Sequence, residues 1–304
     1  MQITPRVKAY LMLLGVALIW GIAGPVIKLT LTGIPPLLFV TYRFFIASIF
    51  ALPFLIPKLY NIKKNFWLLL LYGFLNSTAT LGLLFLGTDK TTLLDMSLLS
   101  LFGPLLMISM GAFFLKEHVT TKEKIGIAIA FFGSLIIALE PISHNGQGEQ
   151  RLLGNLLIFG SLICGATSGL LVKKLMRENI PPLFLVNWSF IVGFVTLAPF
   201  VLFSKSFTND LSLLAEIRPV YHLGVIYMAL VSGTIAYWLD NMALKTIELS
   251  EAALFAYIHP AISAMAALIL LGDKITTQLS LGAVVAIIGV GIAEIKKRRY
   301  NSVS

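Results

Sequence analysis

The sequence has 304 residues, of which 58% are hydrophobic and only 12% are charged, and its mean hydropathy is +0.91. Since a soluble domain carries about 25% charged residues, this composition excludes a water-soluble globular protein and predicts an integral membrane protein. The net charge of +9 comes mainly from Lys and Arg in short loops between apolar runs, which favours a membrane surface over nucleic acid as the partner. The single cysteine, Cys164, excludes an intramolecular disulfide and a CxxC metal or redox site.

Ten apolar runs follow one another along the chain, separated by short polar breaks. A helix needs about 20 apolar residues to cross the hydrocarbon core of a bilayer, and most of the runs are close to that length. We therefore predict an all-α integral membrane fold with ten transmembrane helices, called spans 1 to 10. The predicted spans are residues 9–29, 37–56, 66–86, 93–115, 125–139, 152–172, 183–203, 223–244, 252–271 and 279–295.

The Lys and Arg residues of the loops are divided unequally between the two sides of the membrane. If the N-terminus lies inside, most of them fall on the same side, including Lys63, Lys64 and the basic run at 296–299. Cytoplasmic loops carry an excess of Lys and Arg. The pattern therefore predicts a multi-pass protein of the inner or plasma membrane with both termini in the cytoplasm.

Two stretches of sequence recur in the same order. IPPLLFV at residues 34–40 returns as IPPLFLV at 180–186, and the block at 104–133 returns in weaker form at 260–289. The repeated unit contains five predicted spans. Because five is odd, the second copy enters the membrane from the opposite side, which is the inverted-topology repeat common among secondary transporters. We predict two inverted five-helix repeats, residues 1–145 (spans 1–5) and 146–304 (spans 6–10).

Four stretches carry a resemblance to a known family: LIWG at 18–21, YRFFIAS at 42–48, the block at 104–117, and YWLDNMALKTIELSEAALFAYIHP at 237–260. Over nearly its whole length the chain resembles the EamA-type permeases of the drug/metabolite transporter superfamily. The resemblance implies secondary transport of small metabolites, often export of amino acids or related compounds, through a cavity lined by spans 1, 3, 4, 6, 8 and 9. The chain departs from the family at His259, where an acidic residue commonly precedes the proline of span 9.

Several polar and aromatic residues fall within the spans that the resemblance assigns to the cavity. Each of them has two interpretations, a contact between helices or an interface anchor on one side and a substrate contact on the other. As a set they suit an amphipathic small molecule. The predicted substrate-binding residues are Trp20, Asn76, Thr78, Ser232, Tyr237, Trp238, Asn241, Tyr257 and His259.

Ionisable side chains inside a span are costly and usually face protein or a water-filled cavity. Arg43 in span 2 is interpreted as a contact for a substrate carboxylate or as a structural partner of carbonyls or an acid, and the resemblance favours the structural role. Asp240 in span 8 is either a proton-exchanging acid or an ion-paired acid at the interface. Asp95 and Glu251 begin equivalent spans, where an acid complements the positive end of a helix or serves as a gate.

His259 combines two possible roles in one side chain. Histidine changes charge near physiological pH, and burial disfavours its cation, so we expect a neutral imidazole at rest. From there it could bind a substrate or accept a proton as the cavity reopens. The alternative is an imidazole satisfied by a neighbouring helix.

Local signals predict where helices bend and where one begins. Pro104 and Pro260 each remove one helical hydrogen bond in mid-span, which predicts paired kinks or substrate contacts, with packing bends as the alternative. Pro25 is predicted to bend span 1 in a similar way. Thr120 followed by Glu123 is typical of a capping box at the start of span 5.

Together with the inverted repeat, the resemblance implies a secondary transporter for a small metabolite, most readily an amino acid or related compound, with export as the expected direction. An uptake permease for a larger, nucleoside-like metabolite is the alternative within transport. A membrane enzyme or sensor would need a catalytic constellation or an appended domain, and the sequence has no GxxxxGK[ST], HExxH or G-x-S-x-G motif. The expected partners are a small-molecule substrate and the lipid bilayer, with protons as a candidate coupling ion and no cofactor; the sequence does not determine the oligomeric state.

Overall fold

The chain folds almost entirely into helices. The computed structural model describes residues 4–56, 60–115, 120–143, 148–203, 212, 214–247, 252 and 255–294. Within these ranges every regular element is helical and no strand is present. Seven helical stretches are long and apolar enough to cross a membrane, and two further apolar helices, Ile258–Leu270 and Thr277–Ala293, are shorter. The all-α membrane fold is thereby confirmed, while the count of ten spans remains a prediction.

The α-helices are numbered here from the N-terminus of the described chain. In the first half they are α1 (Pro5–Leu31), α2 (Pro36–Leu55), α3 (Tyr60–Gly73), α4 (Thr80–Lys90), α5 (Leu93–Ser100), α6 (Gly103–Leu115) and α7 (Thr121–Leu139). In the second half they are α8 (Gly148–Arg177), α9 (Pro182–Leu202), α10 (Pro219–Ile226), α11 (Ala236–Ala243), α12 (Ile258–Leu270) and α13 (Thr277–Glu294).

The repeated IPPL phrase begins two helices. Pro36 is the first residue of α2 and Pro182 is the first residue of α9, and in both cases the preceding proline has an extended backbone. Proline suits the first helical position because its fixed φ angle is already helical and its missing N–H would have no partner there. The phrase therefore starts a helix at each of its two positions.

The predicted capping box is also present. The Thr120 hydroxyl accepts a hydrogen bond from the backbone N–H of Glu123 at 3.3 Å, and the Thr120 N–H donates to Glu123 Oε2 at 2.6 Å. Both interactions satisfy backbone donors that a helix end would otherwise leave free. The sequence signal thus places the start of α7 correctly.

Two spans contain a π-helical segment. Phe74–Ala79 joins α3 to α4, and Tyr227–Ile235 joins α10 to α11. A π-helical stretch inserts an extra residue into a turn, changes the direction of the side chains that follow, and is frequent at functional sites. Both segments contribute side chains to the central cavity described below.

Two further spans are interrupted rather than kinked. Residues 101–102 form a turn between α5 and α6, so Pro104 lies in the first turn of α6, and Pro260 likewise lies in the first turn of α12 after the turn at Tyr257. Proline costs little in a first turn because its missing N–H has no helical acceptor there. The expected kinks at these prolines are therefore breaks between helices. Pro25, in contrast, is buried inside the continuous α1.

Close helix packing depends on small residues where α7 crosses α13. A Cβ atom added at Gly133 would lie 2.8 Å from the carbonyl oxygen of Gly282, and one added at Gly289 would lie 2.7 Å from the carbonyl oxygen of Gly126. These distances are too short for a real side chain, so only glycine allows the two backbones to approach in this way. On the other side of the molecule α2 packs against α9, where the rings of Phe44 and Phe190 stack at 5.8 Å.

Candidate functional site

A cavity of about 350 Å³ lies at the centre of the helical assembly. Its wall is built by α1, by the two spans with π-helical segments, by the two interrupted spans and by α8, with one side chain from α2. This is the set of spans that the resemblance implied, with α2 in addition. The breaks and π-helical segments therefore turn polar groups towards a common space.

Most of the predicted site residues border this cavity. The predicted substrate-binding residues in its wall come from α1, α11, α12 and both π-helical segments. The predicted site residues that line it are Trp20, Asn76, Ser232, Tyr237, Asn241, His259, Arg43, Asp240, Pro104 and Pro260.

The other predicted residues lie elsewhere. Thr78 Oγ1 is 2.5 Å from Thr196 Oγ1 of α9, and Trp238 is 39% exposed. Neither of them, nor Tyr257, is in the cavity wall. The reason is helical geometry, because a residue one or two positions from a cavity-facing side chain points in a different direction. Glu251 lies outside the described residues, and Asp95 belongs to a separate cluster described below.

The prediction from sequence missed several small residues in the wall. On α8 they recur at helical spacing, as Ser161, Gly165, Ser168 and Val172. Such a stripe of small residues at intervals of three or four marks one face of a helix, and that spacing could have identified the cavity face of α8. The remaining hydroxyl groups that were missed are those of Tyr72, Thr80, Ser97, Ser100 and Ser263.

Three aromatic side chains from three helices form one side of the cavity. The ring of Trp20 lies 5.1 Å from the ring of Tyr237 and 6.0 Å from that of His259, edge to face in both cases. The Trp20 indole N–H also donates to the carbonyl oxygen of Ser232 at 3.0 Å. Edge-to-face rings combined with a hydrogen bond fix the orientation of the indole. The cavity therefore presents a preformed aromatic surface beside polar groups.

Asn76 lines the cavity but is also held between helices. Its Nδ2 donates to Ser189 Oγ of α9 at 3.2 Å, and its Oδ1 accepts from Ser168 Oγ of α8 at 3.2 Å. With both ends of its amide bonded, Asn76 ties the first π-helical segment to two neighbours. This geometry favours the helix-to-helix interpretation for Asn76 over a direct substrate contact.

Arg43 is buried with unsatisfied donors. It is 1% exposed, and neither Nε nor Nη1 has a hydrogen-bond partner. The guanidinium carbon lies 5.7 Å from the ring centre of Phe44 and 5.6 Å from that of Phe85. Such cation–π contacts are worth about 2 kcal/mol each when desolvated, against a cost of about 2.5 to 3.5 kcal/mol for a charge at mid-span. The acid or carbonyl partner expected for a purely structural Arg43 is absent at these two atoms.

Asp240 shares the cavity wall with Arg43. Asp240 also borders a second, smaller cavity between α1, α11 and α12, together with Trp20 and His259. In the described part of the chain no Lys or Arg forms an ion pair with Asp240. The structure thus gives no support to an ion-paired acid at the membrane interface.

A polar cluster lies beside one end of the cavity. It consists of Asp95, Glu140, Arg151 and Thr276, which come from α5, from the turn after α7, from α8 and from the loop before α13. Arg151 binds both oxygens of Asp95 at 2.7 and 2.8 Å, its Nη1 lies 2.8 Å from Glu140 Oε2, and Thr276 donates to Glu140 Oε1 at 2.7 Å. These contacts connect four spans at the same end of the helical assembly.

The cavity reaches the opposite ends of the helices. There its wall includes Leu244, directly after α11, and Ala252, which precedes α12, as well as Val172 near the end of α8. Towards the polar cluster the wall includes Ile27 of α1 and Met96 of α5, the residue that follows Asp95. The wall of the cavity therefore extends from the neighbourhood of the polar cluster to the opposite ends of these helices.

The sequence profile of the EamA-like transporter family matches this chain twice, over residues 7–139 and 152–294. Together the two matches cover most of the sequence. The chain belongs to the EamA-like transporter family.

This EamA-like protein matches several curated proteins over nearly their full length, and they are named as transporters or efflux pumps. An uncharacterized transporter of Bacillus subtilis, YyaM, is 27% identical over 98% of this chain and 97% of its own. A probable amino-acid metabolite efflux pump of Escherichia coli is 28% identical, with 91% of each chain covered. Its counterpart in Salmonella typhimurium is also 28% identical, with 94% of each covered.

A solved structure shares the fold of this EamA-like protein. One protein of known crystal structure, at 15% sequence identity, superposes with a TM-score of 0.66 over 97% of this chain and 99% of its own. At that identity the likeness shows the fold alone. The helical arrangement seen here is therefore one that another chain adopts in a crystal.

Proposed function

We propose that this EamA-like transporter exports a small metabolite, an amino acid or a related compound, by alternating access. The observation that carries the proposal is the central cavity, which extends from the neighbourhood of the polar cluster to the opposite helix ends and is lined by aromatic, polar and charged side chains. A transporter that works by alternating access holds its substrate near the bilayer midplane and exposes the site to one side at a time. The relatives named as amino-acid metabolite efflux pumps support both the substrate class and the direction.

The size and lining of the cavity favour a small substrate. Ligand cavities are commonly about 300 to 1,000 Å³, and this one, at about 350 Å³, is near the lower limit. Its aromatic side carries Trp20, Tyr237 and His259, and its polar groups include Arg43 and Asp240. An amino acid matches this combination of size, aromatic surface and charge better than a nucleoside-like metabolite does.

The proposed architecture is a pair of inverted five-helix repeats, residues 1–145 and 146–304, that together make ten spans. Four pairs of features support it. The family profile matches twice, α2 packs on α9, a π-helical segment occurs in the third span of each half, and a break before a proline occurs in the fourth. Under this arrangement the polar cluster lies on the external side, where it would act as a gate between the cavity and the exterior.

Transport can be tested with purified protein in proteoliposomes. Vesicles loaded with one unlabelled amino acid should accumulate the same labelled amino acid by counterflow, in an assay across a panel of amino acids and nucleosides. We expect saturable counterflow for at least one amino acid and none for nucleosides. Counterflow of nucleosides alone would establish the alternative permease, and repeating the assay with a pH gradient would show whether protons are coupled.

A further inference from the structure

We propose that Arg43 and Asn241 form a carboxylate-binding subsite in the central cavity, so that the transported molecule carries a carboxylate group. The inference rests on the proposed transport function and specifies its substrate chemistry. It starts from unsatisfied donors: Nε and Nη1 of Arg43 and Nδ2 of Asn241 are all buried without a hydrogen-bond partner. Both residues line the same cavity, one from α2 and one from α11.

The contacts of Arg43 hold its guanidinium group while its Nε and Nη1 atoms have no hydrogen-bond partner. The rings of Phe44 and Phe85 attract the cation through their π faces. Guanidinium N–H groups lie in the plane of the group and match the two oxygens of a carboxylate. The aromatic pair therefore fixes the charge and leaves its hydrogen-bonding edge for another group.

A partly exposed arginine, Arg151, shows how this protein pairs a guanidinium group with its own acids. Arg151 is bonded by Asp95 through two hydrogen bonds and is paired with Glu140 as well. Arg43 has no such acid among the described residues, although Asp240 lines the same cavity. The protein supplies carboxylates to the arginine of its polar cluster and none to the arginine of its cavity.

A carboxylate is the ligand group that fits these donors. It offers two oxygens with about four lone-pair sites and carries the charge that the buried guanidinium lacks. A protonated primary amine does not fit this subsite, because it has only hydrogen-bond donors and would add a second positive charge beside the guanidinium. The Asp240 carboxyl on the same wall would attract an ammonium group, so a zwitterionic amino acid suits the cavity as a whole.

The test compares molecules of one shape that differ in charge. Purified full-length protein is heated with 3-phenylpropanoate or 4-methylpentanoate, and with the uncharged amide of each, in sulfate buffer without chloride. Ligands that bind only the folded state raise the melting temperature. We expect at least one carboxylate to stabilise the protein at a concentration at least tenfold lower than its amide does. Equal effects of both acids and their amides, or no effect of either acid, would overturn the proposal without any variant.

Variants identify the residue responsible. Arg43→Gln should abolish the preference for the carboxylate and Arg43→Lys should retain part of it, whereas Arg151→Gln, the same change in the polar cluster, should leave the preference intact. A preference that survives Arg43→Gln assigns the site elsewhere and contradicts the proposal. Stabilisation by chloride alone, as strong as that by the acids, would make this an inorganic-anion site and would equally contradict it.

Transport is measured separately in counterflow, so the two proposals can fail independently. Carboxylate binding that depends on Arg43 without any counterflow would leave the subsite and remove the transport function. Counterflow of amino acids that Arg43→Gln leaves unchanged would preserve the transport function and remove the subsite.

Discussion

Single residues in this membrane protein differ in how their buried polar groups are satisfied. Arg151 forms ion pairs with Asp95 and Glu140, while the Nε and Nη1 atoms of Arg43 have no hydrogen-bond partner. Removing one member of a buried ion pair typically costs about 3 to 5 kcal/mol. The same substitution should therefore have different consequences at the two arginines, affecting the closed conformation at Arg151 and ligand binding at Arg43.

His259 is the residue for which a role in proton coupling can be tested most directly. Its ring meets Trp20 in the cavity wall, and Asp240 borders the same second cavity. His259→Gln keeps hydrogen-bonding capacity but removes titration between about pH 5 and 8. We expect counterflow by His259→Gln to persist with a flattened dependence on pH over that range.

The profile of His259→Gln is compared with those of wild type and His259→Ala. An unchanged pH profile in His259→Gln would rule out the proton role. Normal transport by His259→Ala would also remove a direct contact with the substrate.

At the scale of helices, glycine decides how closely two elements approach. The contact between α7 and α13 requires Gly289, where an added Cβ would lie 2.7 Å from the carbonyl oxygen of Gly126, whereas Gly291 on the same helix has nothing within 4 Å. The two glycines are two residues apart and face different surroundings. They provide a matched pair for measuring the contribution of this interface.

Gly289→Ala should destabilise the protein. Overpacking of a tight contact costs about 1 to 3 kcal/mol, so we expect a lower melting temperature for purified Gly289→Ala. Gly291→Ala should be neutral or slightly stabilising, because alanine is favoured over glycine in a helix by about 1 kcal/mol. Equal melting temperatures for the two variants would show that α7 and α13 can separate without cost.

The starts of α2, α7 and α9 were predictable from sequence, since proline at the first helical position and the capping box act through neighbouring residues. The breaks in the fourth and ninth spans were predicted only as kinks. A proline indicates that a helical hydrogen bond is missing, but whether the helix bends or stops depends on the packing around it. No local sequence pattern predicted the π-helical segments.

On the scale of the whole molecule, we propose that the polar cluster acts as the external gate of the cavity. It links ends of four spans through Arg151. Opening that side requires these contacts to separate, and their loss should shift the conformational equilibrium. The proposed external gate is thus a property of several helices together.

Arg151→Gln should increase access to the cavity from the external side. In a Cys164→Ala background, a cysteine introduced at Ser100 reports access to the cavity through the rate at which a membrane-impermeant maleimide labels intact cells. We expect labelling at least threefold faster with Arg151→Gln than without it. Lys274→Gln, an exposed change in the loop next to Thr276, is the control and should not alter the rate.

Reporter fusions test the predicted orientation of the chain. Fusions after Lys64 and Lys124 should report a cytoplasmic location, and a fusion at Ser212 should report an external one, because cytoplasmic loops are rich in Lys and Arg. Further fusions at Gln147 and Arg299, which lie outside the described residues, should read external and cytoplasmic. A cytoplasmic signal at Gln147 would contradict the arrangement of five spans in each half.

The sequence by itself determined the class of this protein and much of its local structure. Apolar runs of span length cannot remain in water, and a helix satisfies its own backbone hydrogen bonds in lipid, so composition was enough to predict an all-helical membrane protein. Resemblance in short motifs placed it among the EamA-type permeases, which the family match confirmed. Trp20 and Tyr237 were predicted to line the cavity because the resemblance assigned their spans to it, and both lie in its wall.

Only the tertiary structure decided which side chains share a space and which ions pair. Arg151, Asp95 and Glu140 are brought together by three different helical ends, and no local pattern encodes that meeting. Thr78 was assigned to the cavity and instead bonds to Thr196 on α9, because the direction of a side chain depends on the exact phase of its helix and on its neighbours. The physical reason is the same in both cases: such contacts join residues far apart in sequence, and helix packing sets their geometry.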